Sequence, residues 1–189
     1  RLWTEDRVTH RGRYYQFQDV RIEPKPVQKP APPIWIASSP NPALIGEEKY
    51  RKALHRVART ADGWMTALLR PHEFRARWEI IEEFAVTEGR DPRRLGASQH
   101  IMVNLNEDES AARAEAKKFL DLYYSANFTA ADLEKWGIFG SASRCADVLQ
   151  EFIEAGCRTP IIRLTTWHPL GQFHTCIEKV LPRLRPRPA

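Results

Sequence analysis

Two serines, an arginine inside an apolar strand and a solitary histidine are the residues of this chain whose placement could do chemistry. Ser38 and Ser39 follow directly on the apolar run Ile34-Trp35-Ile36-Ala37, and Pro40-Asn41-Pro42 and a helical pattern come next. A buried strand that releases into small hydroxyl residues ahead of a helix start is a common way to bind an anionic group. The same hydroxyls can satisfy loop backbone and cap the next helix, and spacing by itself favours that plainer role. Arg163 lies among Ile161, Ile162 and Leu164. In a strand covered on both faces an unpaired guanidinium is costly, so it requires a partner. That partner is either a phosphate or anionic substrate, or a carboxylate or carbonyl inside the protein; both stay open. His168 can exchange a proton near neutral pH, although beside Trp167 and Pro169 it reads first as a loop histidine. No Ser-His-Asp or Cys-His pairing and no metal-ligand spacing is visible. The three cysteines, Cys145, Cys157 and Cys176, are odd in number and fit no ligand pattern. Two sit in apolar helical settings, which predicts reduced, buried thiols and a cytoplasmic location.

The elements that position these residues can be read from punctuation and period. Pro30, Pro32 and Pro33 fix φ and remove N–H donors, so the approach to Ile34 is extended. The four apolar residues that follow predict a strand buried on both faces. Upstream, Val8-Thr9-His10 and Arg13 to Phe17 flank Arg11-Gly12 as a hairpin, and Asp19 to Gln28 reads as an extended connection. Tyr50, Ala53, Leu54, Val57 and Ala58 recur at helical spacing, and Trp64 to Leu68 forms a short strand. Pro71 opens a helix that Gly89 and Pro92 close. His100 to Leu105 is the next strand, and a helix opens at Asp108 or Ser110. Thr129 has capping-box form ahead of a short helix to Trp136. Cys145, Val148, Leu149, Phe152 and Ile153 make one helix face, Ile161 to Thr165 a strand, and Phe173 to Leu184 a closing helix. Strand alternating with helix four times predicts an α/β fold with a parallel sheet and right-handed crossovers. Four such strands make either a small open sheet or half of an eight-stranded barrel.

Composition narrows the function classes. With 189 residues, 42% hydrophobic and 10% aromatic, the chain is long enough for one folded domain with a real core, or a piece of a larger one. No apolar run approaches the ~20 residues of a membrane span, and the start, Arg1-Leu2-Trp3, lacks a signal-peptide layout. The net charge of +5 is spread over helices that also carry acids, apart from Arg183 to Arg187. Without aromatic interleaving this predicts solvated surface, a phosphate-bearing ligand at most, and no nucleic-acid partner.

Several segments, in order, resemble the bacterial luciferase-like flavin-dependent oxidoreductases: LWTEDRVTHRGRYYQFQDVRIEPKPVQKPAPPIWIASS, ARTADGW, EEFAVTEGRDPRRL, GSASRCADVLQEFIEAGC and VLPRLR. The resemblance implies the C-terminal half of a TIM (β/α)8 barrel with an N-terminal hairpin excursion, all one domain over 1–189. Residues 1–32 are then hairpin and connection, 33–184 four strand–helix units, and 185–189 a tail. It also implies reduced FMN, or alternatively a deazaflavin coenzyme, bound at the C-terminal mouth of the barrel, and a small organic substrate. In that family a glycine pair often follows the PIWI-like strand and contacts the cofactor; here it is Ser38-Ser39, whose Cβ atoms forbid the closest backbone approach.

Strand C-terminal ends carry barrel chemistry, which selects Ser38, Ser39, Trp64 and Thr66 as cofactor-binding, and Arg163 and Thr165 for substrate or phosphate. Asn104, Thr166, Trp167 and His168 lie at the same ends, and His168 is the weak catalytic candidate. Much of the family's pocket comes from strands one to four. This predicts a fragment inactive by itself, or a non-catalytic half-barrel that assembles with a missing N-terminal half or as a homo-oligomer.

Overall fold

The structure, a computed structural model, describes residues 1–185; the end of the 185–189 tail, 186–189, lies outside the described residues. It divides into two compact units, Arg1–Ile34 and the chain from Trp35 onward.

In the first unit, β1 (Val8–Arg11) pairs antiparallel with β2 (Gln16–Val20), with His10 opposite Phe17 and Arg11 opposite Gln16. The turn is longer than the Arg11-Gly12 turn the sequence suggests. It spans Gly12 to Tyr15, closed by the Gly12 N–H donating to the Tyr15 carbonyl at 2.9 Å. Tyr14 and Tyr15 have β-forming side chains but stand exposed at the tip, so no packing holds them in a strand.

The second unit carries a parallel sheet of β3 (Trp35–Ala37), β4 (Gly63–Ala67), β5 (Gly96–Leu105), β6 (Gly137–Gly140) and β7 (Ile161–Leu164). β5 is ten residues long and serves three neighbours. Its first half pairs with β4, Gly63 opposite Gly96 through Ala67 opposite His100. His100 also faces Ile161, and Met102 faces both Gly137 and Arg163. A strand residue has only two edges, so β4 and β6 share one edge of β5 in succession, and β7 holds the other. β6 is a strand the sequence hides, because two of its four residues are glycine, which reads as a breaker.

Parallel neighbours point the same way, so register sorts the side chains into two faces. Ile36, Trp64, Ala97, Ile101, Val103, Ile138, Ile162 and Leu164 share one face and join the main core cluster. Three helices cover it: α2 (Glu47–Thr60) with Leu54 and Val57, α3 (Pro71–Thr87) with Phe74 and Trp78, and α6 (Ala142–Glu154) with Leu149 and Phe152. Each starts or stops where the residues dictate, as with Pro71 at the first turn of α3 and Gly89 at φ 70° beyond its end. α1 (Pro42–Ile45) is a single turn capped by the Asn41 side chain.

The opposite face is covered at its C-terminal end only. There α4 (Glu109–Tyr124) and α5 (Ala130–Trp136) fold back, and Ala112, Ala116, Leu120, Leu133 and Trp136 form a second cluster with Met102 and Phe139. Thr129 and Asp132 cap α5 reciprocally, as their spacing predicts. On the remainder of this face Trp35, Ala37, Met65, Ala67, His100 and Ile161 are exposed or half-buried, while the small Ser98 is buried, its hydroxyl donating to the Thr159 carbonyl. β3 is therefore not buried on both faces as its composition suggests: Trp35 is 39% exposed. Among the described residues, β3 is an edge strand paired only with β4.

Candidate functional site

The expected site residues other than Arg163 fall into two polar clusters at the C-terminal ends of the strands. The first joins β3 to β4. Ser39 Oγ and Thr66 Oγ1 are 2.7 Å apart, and the Ala67 N–H donates to Ser39 Oγ at 3.0 Å. The Ser38 N–H donates to the Met65 carbonyl at 2.9 Å, and Trp64 Nε1–H donates to the Ser38 carbonyl at 2.8 Å. Trp64 is fully buried on the helix-covered face, its ring stacked 5.1 Å from Phe74 and 6.4 Å from Trp78. The four predicted cofactor-binding residues are thus one network, and Trp64 belongs to its buried support.

The second cluster joins β5 to the segment after β7, and its hub is Glu115 on α4. Asn104 Nδ2 donates to Glu115 Oε2 at 2.9 Å; Thr166 Oγ1 and the Trp167 N–H donate to Oε1 at 2.8 and 3.0 Å. Asn104 also donates to the Thr165 carbonyl at 2.8 Å, and accepts from Gln172 Nε2 at 3.2 Å on α7 (Pro169–Thr175). Thr165 is buried and its hydroxyl donates to the Val103 carbonyl. The His168 N–H donates to Thr166 Oγ1, while its residue stands exposed. Burial works to raise the Glu115 pKa, but the Asn104, Trp167 and Thr166 donors, with the nearby His168, outweigh it and hold the carboxyl below its ordinary 4.5.

Glu115 is the residue the sequence reading missed. A signal existed: at helical spacing it falls on the stripe Ala112, Ala116, Phe119, where an acid has no reason to be unless something receives it.

Arg163 lies on the part-covered face, opposite Met102 in register. Among the described residues no carboxylate or carbonyl partners it; aromatic rings lie against it instead. The guanidinium carbon sits 3.8 Å from the Tyr123 ring centroid, with Phe119 and Tyr124 at 5.9 and 6.0 Å. The strand is half-buried here rather than sealed on both faces, so aromatic faces and partial solvent suffice to hold the charge. His100 shares this face; burial, and then the Arg163 charge, hold its pKa below 6.5.

The three cysteines are free and buried. Burial pushes Cys145 up to about 12 and Cys157 up to about 11, so neither is a thiolate nucleophile near neutral pH. Among the described residues no group of His, Cys, Asp and Glu is placed to hold a metal ion, and no helix is long and apolar enough to cross a membrane.

These features, strand-end polar clusters on a parallel sheet of barrel type, define a class. The sequence profile of the luciferase-like monooxygenases matches residues 1–159, and the chain belongs to that family. It is 25% identical over 111 residues to the FMNH(2)-dependent dimethylsulfone monooxygenase of Pseudomonas putida, covering 59% of this chain and 28% of that protein. It is 26% identical over 117 residues to the F420-dependent hydroxymycolic acid dehydrogenase of Mycobacterium tuberculosis, covering 60% and 28%. The chain thus matches under a third of the length of these relatives. An F420-dependent secondary alcohol dehydrogenase, in complex with an F420-acetone adduct, superposes with TM-score 0.78 at 17% identity, over 97% of this chain and 58% of that one. The coenzyme F420-dependent tetrahydromethanopterin reductase of Methanopyrus kandleri superposes with TM-score 0.72 at 13% identity, over 97% and 60%. At such identities the likeness speaks for the fold: a luciferase-like TIM barrel, of which this chain is half.

Proposed function

We propose that the chain is the cofactor-holding C-terminal half of a flavin-dependent oxidoreductase or monooxygenase acting on a small organic substrate. Reduced FMN is the first candidate cofactor and a deazaflavin of the F420 kind the second; relatives named for each support both. The observation that carries this reading is the pair of strand-end clusters flanking an uncovered strip of sheet, in a chain of this family. TIM-barrel enzymes work at those ends.

The strip suits a planar ring system. Ala37 and Ala67 present only methyl groups, and Met65 adds a polarizable thioether. The Trp35 indole closes the strip at its N-terminal end, lying across Gly63 and Gly96, where any Cβ would run into it. When bound, the flavin supplies the redox chemistry. Ser38 and Ser39 would hold its polar edge, with Thr66 fixing Ser39 from β4 and Trp64 bracing Ser38 from behind. Arg163 borders the substrate side, and Thr165, buried and bonded to the Val103 carbonyl, steadies the end of β7. His168, exposed beside the Glu115 cluster, is placed to exchange protons with a substrate at the mouth.

Absorbance titration with FMN, with deazaflavin, and with both reduced forms tests this on a polypeptide holding all eight strands. Saturable binding that Ser39→Ala and Thr66→Val weaken is expected; absence of binding to either cofactor overturns it.

A second reading has its own observation. β3 pairs on one side only, and Leu170 and Phe173 on α7 stand 75% and 52% exposed. Such edges fit a half-barrel that assembles with an N-terminal half or another copy. Light scattering decides: a monomer that unfolds cooperatively removes the need for a partner.

A further inference from the structure

Arg163 carries an inference that rests on the flavin reading and deepens it by naming a substrate class. The guanidinium lies against Tyr123, ring centroid 3.8 Å away. Stacking occupies its flat face and leaves its in-plane N–H edge to fork an anion. Among the described residues, no carboxylate, carbonyl or hydroxyl accepts from that edge. A half-buried charge with a pinned orientation and no counter-charge is a receptor geometry rather than a structural ion pair.

The surroundings describe what the anion is attached to. Phe119 stacks beside Tyr123, centroids 6.0 Å apart, and Trp167 packs on Phe119 at 5.2 Å while remaining 51% exposed. These rings form an apolar shelf leading outward from the arginine. His100, one register step back on the same face, opposes Ile161, two residues before Arg163. Held neutral, it offers one N–H and no second positive charge. A phosphate dianion is ordinarily gathered by several donors, often a nest of backbone amides. A single fork, a neutral imidazole and an aromatic shelf match a monoanion on an apolar body.

We propose that Arg163, seated on Tyr123, binds the carboxylate of an apolar organic acid whose carbon skeleton lies along Phe119 and Trp167.

The test uses hexanoate, its neutral isostere hexanamide, and inorganic phosphate, titrated by calorimetry and tryptophan fluorescence with and without reduced flavin. Hexanoate is expected to bind roughly tenfold or more tightly than hexanamide, the scale of a charge-assisted fork. Arg163→Gln should erase that preference and Tyr123→Phe should keep it. Arg163→Lys, which preserves the charge and guards against loss of folding in the glutamine variant, should weaken the preference without abolishing it. Equal binding of acid and amide, no binding of either, or a preference that survives Arg163→Gln overturns the proposal. Phosphate binding more tightly than hexanoate overturns it too, and gives Arg163 to the cofactor. Flavin binding without acid selectivity sinks this inference alone; acid selectivity without flavin binding sinks the cofactor reading alone.

Discussion

The two strand-end clusters are built from different physics. At β3–β4 every partner is neutral, and every bond connects adjacent strands or the turns directly after them. At β5–β7 the hub is a charge, and it comes from a helix: Glu115 reaches Thr166 and Trp167 across sequence separations of 51 and 52. The first cluster follows once the strands find their register. The second exists only if α4 folds back across the second sheet face. A neutral cluster of this kind holds its geometry through backbone pairing, whereas a carboxylate hub can release a whole loop when one group changes.

The largest expected effect would break the first cluster from behind. Trp64→Ala removes a fully buried indole and the donor to Ser38, and should cost about 3–5 kcal/mol in urea unfolding. A loss below about 1 kcal/mol would mean that the β3 end does not depend on the core beneath it.

Glu115→Ala comes next. It leaves one N–H of the buried Asn104 amide and the Thr166 O–H without their acceptor, at about 1–3 kcal/mol. Hydrogen exchange sharpens the contrast. The Trp167 amide should lose protection in this variant while the Ala67 amide, bonded to Ser39, keeps it. Loss at both sites would show that the clusters are one unit. Ser39→Ala is the reciprocal change, expected to cost about 0.5–1.5 kcal/mol and to expose Ala67 alone.

The smallest effect is in pH. Glu115 has a lowered folded pKa, so the unfolded chain protonates it first as pH falls. Its contribution is present above about 4.5 and is lost as pH drops through the folded value. His100 is also lowered, so its contribution is present above 6.5 and fades below. Glu115→Gln should flatten the acid limb and leave the limb beginning near 6.5, which His100→Gln should remove. A stability curve whose acid limb is unchanged by Glu115→Gln would separate the carboxylate from the fold.

Much of the fold was legible residue by residue. Pro71 and Gly89 bound α3, Thr129 and Asp132 cap α5, and the apolar stripe of α2 points inward as its spacing demands. The serines at the β3 end and Thr66 at the β4 end could be placed together, because strand-end logic needs only the strand positions. Three features resisted. β6 was masked by its glycines. The exposure of Trp35 follows from its lying on the uncovered strip of sheet, across Gly63 and Gly96, which composition does not encode. The seat of Arg163 inside the protein was expected to be a carboxylate or carbonyl, and the structure supplies an aromatic ring from a helix some forty positions upstream, Tyr123.

By itself, then, the sequence determined the alternation of strand and helix, the helix boundaries, the family and the set of residues at the strand ends. These depend on local backbone preference and on hydrophobic period, which neighbouring residues carry. Tertiary structure alone decided which hydroxyls are spent inward, that a lone acid on α4 would hold the segment after β7, and that Arg163 would lie against Tyr123 with its edge open. Those outcomes depend on which face a distant helix covers, and no short stretch of sequence holds that information.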